Sequence, residues 1–405
     1  MQKRIVIVGS GFGGLETALS VKSLCRAAAE ITVIDRSPVQ SYLPSIHEVI
    51  SGKVSPGEIQ VPLAPIFEAA GITFIQGEVG ALEPEARQVV TGTGPQGYDD
   101  LVLAVGARVN FYNIPGAAEH AYAFRNPEQA EGIGKEVRRV LADEKRSARI
   151  TIAGGGLEGV EIAGELLDMI DDARKQEDLS SGKITIELIE SADRLLHDCN
   201  EKVQDFVETY LEEKGIGILT GNKIERVEKD RVILDSGESR SMSMLIWTGG
   251  IQPMPWIQES PLEKDSQGWI KVTRALHTPR DEHIYSLGDT VTIVTGKGPL
   301  ALPRVASHTL DQAAVVALNL YYDLMGHRKI GYYPKVKPQL ISLGRNMGIL
   351  TEQEIFIASP WAARLKKGVE KTHMMTYRRK PYMAAFAGKL PGAELRHLFR
   401  ILKPV

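Results

Sequence analysis

The sequence predicts an α/β protein built on two doubly wound parallel sheets. Three observations support this prediction: a strand–glycine–helix–strand pattern opens the chain, the same pattern returns near residue 150, and an acidic residue follows the second strand of each copy. A strand, a crossover helix and a second parallel strand form the repeating unit of such sheets. At 405 residues the chain is also long enough for two or three domains.

The first copy occupies the N-terminus. Residues 5–8 predict a buried strand, residues 15–27 a helix, and residues 31–34 a second strand that leads into Asp35. Gly9, Gly11 and Gly14 lie between the first strand and the helix, at G-x-G-x-x-G spacing. In this motif the first glycine permits a tight turn, the second lets a pyrophosphate approach the backbone, and the third lets the helix pack against the strand.

The second copy follows the same order, with strands at residues 150–153 and 184–189 and a helix at residues 160–170. Its glycines are Gly154, Gly156 and Gly159, and its acid is Glu190. One such glycine motif can be no more than a tight turn. Two copies, each followed by an acid that can accept hydrogen bonds from ribose hydroxyls, predict two Rossmann-like dinucleotide-binding domains.

Composition excludes several other classes of protein. Cys25 and Cys199 lack the spacing of a redox dithiol or of a thiolate metal site, so no metal is expected. No apolar run is long enough to cross a bilayer, and no signal peptide precedes the first strand. The net charge of −3 is uneven, because residues 361–405 carry +9 and the remainder −12. Such asymmetry indicates an anionic partner.

Flavoproteins with two dinucleotide-binding domains resemble this chain. The late strand of "HIYSLGD" ends in Gly288 and Asp289, as their ribityl-binding strand does. The resemblance implies FAD at the first turn, NAD(H) at the second, and a NAD domain inserted into a split FAD domain. The implied FAD-binding residues are Gly9, Gly11, Gly13, Gly14, Asp35, Arg36, Ala104, Gly106, Gly288, Asp289 and Ala306. The implied NAD-binding residues are Gly154, Gly156, Gly159, Glu190, Gly249 and Gly250.

The resemblance also implies domain boundaries. Residues 1–112 and 265–335 would form the FAD domain, residues 113–264 the NAD(H) domain, and residues 336–405 a C-terminal segment for membrane association and dimerisation. Glu190 favours NADH over NADPH, since a carboxylate repels a 2′-phosphate. Arg194 lies close enough in sequence to weaken that argument.

Within these flavoproteins the chain is most similar to the type II NADH dehydrogenases, which are single-chain NADH:quinone oxidoreductases. The matching stretches are "SYLPSIHEVISGKV", "GVEIAGEL", "WTGG", "IYSLGD" and "ISLGRN". The similarity implies hydride transfer from NADH to FAD and two-electron reduction of a membrane quinone, without proton pumping. It also implies a homodimer. The basic C-terminal segment predicts a peripheral position on the cytoplasmic side of the cell membrane, and no nucleic-acid partner is expected because that segment lacks interleaved aromatic residues and any recognisable module.

Six residues are candidates for the chemistry. Glu161, His47 and His308 are candidate catalytic residues, and Pro44, Ser307 and Asp311 are candidate quinone contacts. Glu161 could instead only complement a helix dipole, and the histidines could be buried or surface residues without a role. Where the family carries "AQxxxQ", this chain has "ASHTLD", so Ser307 and Asp311 replace two glutamines. That departure puts the electron acceptor in question.

The last helix carries Leu395, Leu398, Phe399 and Leu402 on one face, with basic residues on the other. This pattern is typical of a helix lying on an anionic membrane surface, and equally of a helix packed on its own domain or on a partner subunit. Two other functions remain open from the sequence: a soluble NADH-dependent reductase of a small redox protein or of oxygen, and an NADH-sensing flavoprotein.

Overall fold

A computed structural model describes residues 2–142, 147–175, 184–296, 298–300 and 302–387. The helices are α1 (Phe12–Cys25), α2 (Ile46–Ser51), α3 (Leu63–Ala70), α4 (Ala117–His120), α5 (Pro127–Leu141), α6 (Leu157–Lys175), α7 (Glu201–Glu213), α8 (Pro255–Glu259), α9 (Ala306–Leu324) and α10 (Pro360–Ala387). None of these helices combines the length and the apolar composition needed to cross a bilayer.

The first sheet is parallel throughout and holds the first glycine turn. Its strands, in spatial order, are Ile284–Ser286, Asp100–Leu103, Lys3–Val8, Ala29–Asp35 and Thr73–Gln76. These strands are short apolar runs because helices cover both faces of a parallel sheet. The strand that precedes Gly288 therefore returns, from far along the chain, to the sheet that carries Gly9.

The second sheet is also parallel and holds the second glycine turn. Its strands are Ala121–Ala123, Met244–Trp247, Ala148–Ala153, Ile184–Ile189 and Gly217–Leu219. The α/β prediction with two doubly wound sheets is confirmed. Both glycine turns lie at the carboxyl ends of central strands, which is where such sheets bind ligands.

Smaller sheets join and cover the two large ones. Their strands are Val39–Ser41 with Gln60–Pro62; Val79–Glu83, Gln88–Thr91 and Gly94–Gly97; Arg108–Val109 with Ile251–Gln252; Ile224–Glu228, Arg231–Leu234 and Ser239–Ser241; Ile270–Val272, Val291–Thr295 and Gly298–Pro299; and Gln339–Ser342, Gly348–Glu352 and Ile355–Ser359. The last of these sheets leads directly into α10, which packs against it and against α3.

Two predicted helices differ from the observed ones at their ends. Helix α1 begins at Phe12 rather than at residue 15, and α6 extends from Leu157 to Lys175 rather than over residues 160–170. Glycine is a poor helix former, so local propensity places the start of α1 too late. A Cβ on Gly13 would lie 2.5 Å from the Leu287 side chain, which shows that close packing on the neighbouring elements fixes this first turn. The predicted last helix, with Leu395, Leu398, Phe399 and Leu402, lies outside the described residues.

Candidate functional site

A cleft of about 1290 Å³ lies at the carboxyl end of the first sheet. It is bounded by the first glycine turn, the start of α9, the first turn of α6 and a residue of α10. The cleft brings together nearly all of the residues assigned to FAD: Gly9, Gly11, Gly13, Asp35, Arg36, Ala104, Gly106, Gly288, Asp289 and Ala306. Most of these residues follow the carboxyl ends of four strands of the first sheet, whereas Gly13 and Ala306 lie in the first turns of α1 and α9.

The first glycine turn has the geometry of a pyrophosphate cradle. Gly9 has φ +94°, and a Cβ there would lie 2.3 Å from the carbonyl oxygen of Ala104. A Cβ on Gly14 would lie 1.8 Å from the Gly9 carbonyl oxygen, so only glycine permits this approach of helix to strand. Gly11, by contrast, has nothing within 4 Å of its Cβ position. The backbone there is open toward the cleft, and the residues present fit a dinucleotide.

Asp35 fixes the first turn as well as lining the cleft. Its Oδ2 accepts hydrogen bonds from the Ser10 backbone N–H at 2.6 Å and from the Ser10 hydroxyl at 2.7 Å. Its Oδ1 accepts one from the Ser37 backbone N–H at 2.8 Å. Carboxylate oxygens have further acceptor capacity, so contact with a ribose remains compatible with these bonds.

The second glycine turn repeats this geometry. Gly154 has φ +110°, and a Cβ on Gly159 would lie 1.9 Å from the Gly154 carbonyl oxygen. Gly156 again has nothing within 4 Å of its Cβ position. Gly249 borders the turn, because its backbone nitrogen lies 2.9 Å from the position of a Cβ on Gly154. Gly250 instead lies against the Tyr112 hydroxyl.

Glu190 holds the second turn as Asp35 holds the first. Its Oε2 accepts from the Gly155 backbone N–H at 2.5 Å, and its Oε1 accepts from the Ala192 N–H at 2.7 Å. Arg194 is drawn away from the turn, since its guanidinium pairs with Glu208 at 2.9 Å and Asp205 at 2.6 Å. Arg194, which weakened the case for NADH over NADPH, is therefore already paired with two carboxylates of α7.

Arg125 connects the two halves of the site. It precedes α5, and its guanidinium donates to Asp289 Oδ2 at 2.7 Å while lying 3.8 Å from Glu158 Oε1. Asp289 lies in the 3-10 turn that follows the late strand of the first sheet, and Glu158 lies in the first turn of α6, beside the second glycine turn. One guanidinium thus bridges carboxylates from both nucleotide-binding units inside the cleft.

Glu161 lies at the wall of the cleft on α6. Its Oε1 accepts hydrogen bonds from the Lys366 ammonium on α10 and from the Ser342 backbone N–H, the latter at 3.1 Å. Burial lowers the pKa of Lys366, but attraction to Glu161 and Glu370 outweighs that effect and raises its pKa overall. The two side chains form a buried ion pair whose ends both line the cleft.

His47 lies behind Glu161 and outside the cleft lining. Its Nδ1 is 3.6 Å from Glu161 Oε2, and its ring is almost fully buried. Burial, followed by the positive charges of Lys366, Lys53 and Lys367, holds the pKa of His47 well below its usual value. Burial and these charges favour the neutral imidazole, which lies beside Glu161.

A possible cation cluster lies next to His47. Ligand atoms of His47, Glu48 and Glu165 fall within 4.8 Å of one another. Both carboxylates already have ammonium partners: Lys367 lies 2.6 Å from Glu48, and Lys53 lies 2.8 Å from Glu165. Each of the two carboxylates is thus already paired with a lysine.

The start of α9 supplies the other predicted acceptor residues. Ser307 and His308 line the cleft, as does Pro44 from the opposite wall. His308 is buried, its Nδ1 lies 2.9 Å from the Tyr332 hydroxyl, and burial lowers its pKa. Asp311 is outside the cleft lining, one turn further along α9. Its carboxylate pairs at 2.7 Å with Lys337, which does line the cleft.

Sequence reasoning missed three residues of this site. Arg125 lies in a stretch without a motif, Lys337 lies in an irregular segment, and Lys366 was counted only as part of a basic tail. The available signal for Lys366 was its spacing from Glu370 on a helix, because a lysine and a glutamate four positions apart share one face.

Solved structures confirm the fold over the full length of the chain. A structure of NDH2 from Plasmodium falciparum in complex with NADH superposes with a TM-score of 0.81, at 18% identity, over 97% of this chain and 99% of that one. The sulfide:quinone oxidoreductase of Aquifex aeolicus superposes with a TM-score of 0.83, at 21% identity, over 100% and 96%.

Sequence relatives also span nearly the whole chain. A type II NADH:quinone oxidoreductase of Staphylococcus aureus (strain MSSA476) is 25% identical over 380 residues, covering 91% of this chain and 94% of the relative. The demethylphylloquinone reductase NdbB of Synechocystis is 26% identical over 370 residues, covering 89% of each. The family model described as pyridine nucleotide-disulphide oxidoreductase matches residues 3–314, and the chain therefore belongs to that family.

Proposed function

We propose that the protein is a non-proton-pumping NADH:quinone oxidoreductase that uses FAD. FAD and NADH are the cofactor and electron donor implied by the family and by the relatives. The observation that carries the proposal is the single cleft in which the first glycine turn, Asp289, the start of α9 and the Glu161–Lys366 pair meet. FAD bound there would take a hydride from NADH and return two electrons to a quinone.

The protein's own residues supply binding and orientation. The open backbone at Gly11 and the N-terminus of α1 face the place of the FAD pyrophosphate, and Asp35 faces the ribose. The first turn of α9, from Ala306, offers free backbone N–H groups and a partial positive charge to the cleft. This charge is provided by the backbone, so it does not depend on the residues that replace the family's glutamines.

The second turn is proposed to bind NADH. The open backbone at Gly156 would face the pyrophosphate, and Glu190 would accept from the 2′-hydroxyl. Because Arg194 is bound to Asp205 and Glu208 of α7, its guanidinium is not free to attract a 2′-phosphate in place of that hydroxyl. This arrangement favours NADH over NADPH.

At the acceptor end, Lys366 and Glu161 can hold and transfer a proton within hydrogen-bond reach of the cleft. Pro44 and Ser307 are proposed quinone contacts. Asp311 acts through Lys337, and His308 acts by holding the start of α9 against Tyr332. The two amide groups that the family uses are absent, so these side chains form a variant acceptor site.

The first test is anaerobic. The purified holoenzyme is mixed with one equivalent of NADH and then with a short-chain menaquinone, while the flavin absorbance is followed. We expect bleaching by NADH and recovery with quinone within seconds. A flavin band that stays bleached in the presence of quinone, but recovers with oxygen or a small redox protein, would overturn the proposed acceptor.

Membrane attachment is proposed to occur through the outer surface of α10, as a homodimer on the cytoplasmic face of the cell membrane. That surface exposes Trp361, Val369 and Met375 among the basic residues Arg364 and Lys371. Exposed apolar side chains between cations suit an anionic headgroup region, where each basic residue contributes about 1 kcal/mol.

Vesicle sedimentation tests this attachment. We expect the full chain to bind vesicles that contain phosphatidylglycerol and to be released by high salt, with weak binding to neutral vesicles. Replacing Arg364 and Lys371 with glutamate should lower the bound fraction. Equal binding by this variant would show that α10 is not the attachment surface.

A further inference from the structure

The buried face of α10 carries titratable groups where apolar residues would be expected. Lys366, Glu370 and His373 follow one another at the i, i+4 and i+7 positions, so they share one face of the helix. Lys366 and Glu370 are each 7% exposed, and His373 is half-buried. The face is turned toward α6 and the cleft, as the contact of Lys366 with Glu161 shows.

Charge balance within this cluster leaves one carboxylate without a cation of its own. Lys367 pairs with Glu48 at 2.6 Å, Lys53 pairs with Glu165 at 2.8 Å, and Asp168, which Lys53 also contacts at 2.6 Å, has Arg345 as a second cation at 3.4 Å. Lys366 is the remaining ammonium in the cluster, and it faces two carboxylates, Glu161 and Glu370.

Glu161 is the better partner of the two. It receives hydrogen bonds from Lys366 and from the Ser342 backbone N–H. Glu370 Oε1 lies 3.8 Å from the Lys366 ammonium, beyond hydrogen-bond length, and it has no hydrogen-bond partner among the described residues. A buried carboxylate oxygen in that situation is far more costly charged than protonated. Protonation turns Glu370 into a hydrogen-bond donor and removes the excess negative charge.

We propose that Glu370 is a proton-storing residue that acts through Lys366 and supplies the acceptor end of the cleft with a proton. The inference rests on the proposed quinone reductase function. Glu370 does not line the cleft, so it acts on the substrate only through Lys366 and Glu161, to which it supplies protons. A rotation of the lysine side chain would bring its ammonium within hydrogen-bond length of Glu370 Oε1, 3.8 Å away.

The stoichiometry of the reaction requires such a supply. The overall change is NADH + H⁺ + quinone → NAD⁺ + quinol, so the hydride delivers two electrons and one hydrogen, and the second hydrogen is a proton from the medium. Glu370 releases its proton toward Lys366 when Lys366 or Glu161 gives one to the reduced quinone oxygen. Solvent then reprotonates Glu370.

The electrostatic surroundings agree with this role. Burial raises the pKa of Glu370 to about 7; Lys366 lowers it, and Glu48 and Glu161 raise it. The Ser45 hydroxyl donates a hydrogen bond to the carboxyl group and lowers its pKa, but burial outweighs this effect. The charged or titratable groups around Glu370 include Lys366, Lys367 and His373 of α10, Tyr42 before α2, His47 and Glu48 of α2, Glu161, Glu165 and Asp168 of α6, and Lys53 after α2.

The test compares the wild-type holoenzyme with Glu370→Gln, Glu370→Asp and the control Glu354→Gln, whose carboxylate is 96% exposed. Infrared difference spectra over about two pH units on each side of 7 report the carbonyl stretch of a protonated carboxyl group. Separate rapid-mixing experiments measure flavin bleaching by NADH and its recovery with quinone at each pH.

We expect carboxyl absorption that disappears as the pH rises through about 7 in the wild type and in Glu354→Gln. Burial also raises the pKa of Glu158 to about 7, so Glu370→Gln should lose only the part of this band that belongs to Glu370, which the difference between the two spectra isolates. Glu370→Gln should slow recovery with quinone by about tenfold or more, remove its pH inflection and leave bleaching by NADH unchanged within about twofold. Glu370→Asp should restore part of both the band and the inflection.

Two results would overturn the inference: the same band in Glu370→Gln as in the wild type, or an unchanged recovery rate and pH profile in that variant. Failure of the proposed function gives a different result, because then the wild type itself would bleach with NADH and not recover with quinone. The infrared band can be measured in either case.

Discussion

Replacing Gly156 by alanine separates nucleotide binding from folding at the second glycine turn. Its Cβ position has nothing within 4 Å, so the added methyl group meets no protein atom and stability should change by less than about 0.5 kcal/mol. The methyl group occupies the space through which a pyrophosphate reaches the backbone. Loss of one charge-assisted hydrogen bond costs about 1.5–3 kcal/mol. The Kd for NADH should therefore rise about 10- to 150-fold.

Gly159→Ala is the matched comparison within the same motif. Its Cβ would lie 1.9 Å from the Gly154 carbonyl oxygen, and ordinary contact begins at 3.4 Å, so α6 would have to move by about 1.5 Å. Overpacking of this kind costs about 1–3 kcal/mol or more. We expect Gly159→Ala to lower the unfolding temperature and Gly156→Ala to leave it unchanged.

NADH titration of the FAD-loaded protein, together with thermal unfolding, measures both effects. FAD content should stay at the wild-type level in Gly156→Ala, because the first turn is untouched. If Gly156→Ala binds NADH within twofold of the wild type, the pyrophosphate does not pass over Gly156. If Gly159→Ala is as stable as the wild type, α6 does not pack against the preceding strand closely enough to exclude a side chain at residue 159.

Three further predictions concern charges in the cluster and at the donor site. Lys53→Met leaves the fully buried Glu165 without its cation and should lower the free energy of unfolding, measured by denaturant titration, by about 3–5 kcal/mol. Lys175→Met, which breaks an exposed pair, should change it by less than about 1 kcal/mol. Equal effects of the two substitutions would refute the role of burial. Glu190→Gln should lower kcat/KM for NADH more than for NADPH. If the ratio of the two kcat/KM values does not shift toward NADPH, Glu190 does not select the 2′-hydroxyl of NADH. The folded pKa of Glu370, about 7, exceeds the ordinary 4.5, so its favourable contribution is complete below 4.5 and is lost as the pH rises through 7. Stability measured over that window should fall by up to about 3 kcal/mol more in the wild type than in Glu370→Gln, and parallel curves would show that Glu370 does not titrate there.

The sequence by itself determined the fold class and the two nucleotide turns. In each case the information is local: a short apolar strand, glycines at fixed spacing, a helix and an acid at the end of the next strand. Gly9 and Gly154 need positive φ values, and Gly14 and Gly159 have no room for a side chain, so residue type and conformation determine one another within a few positions.

Only the tertiary structure decided what lies at the acceptor end. Lys366 and Glu370 of α10 meet Glu161 of α6 across about 200 positions of the chain. Helical spacing could pair Lys366 with Glu370, but it says nothing about their contact with Glu161. Lys366 belongs to a segment whose net charge indicated an anionic partner, yet it is buried and paired with a carboxylate of the site. The balance between desolvation and pairing depends on distances of a few ångströms, so the protonation of such a cluster is a property of the packed molecule.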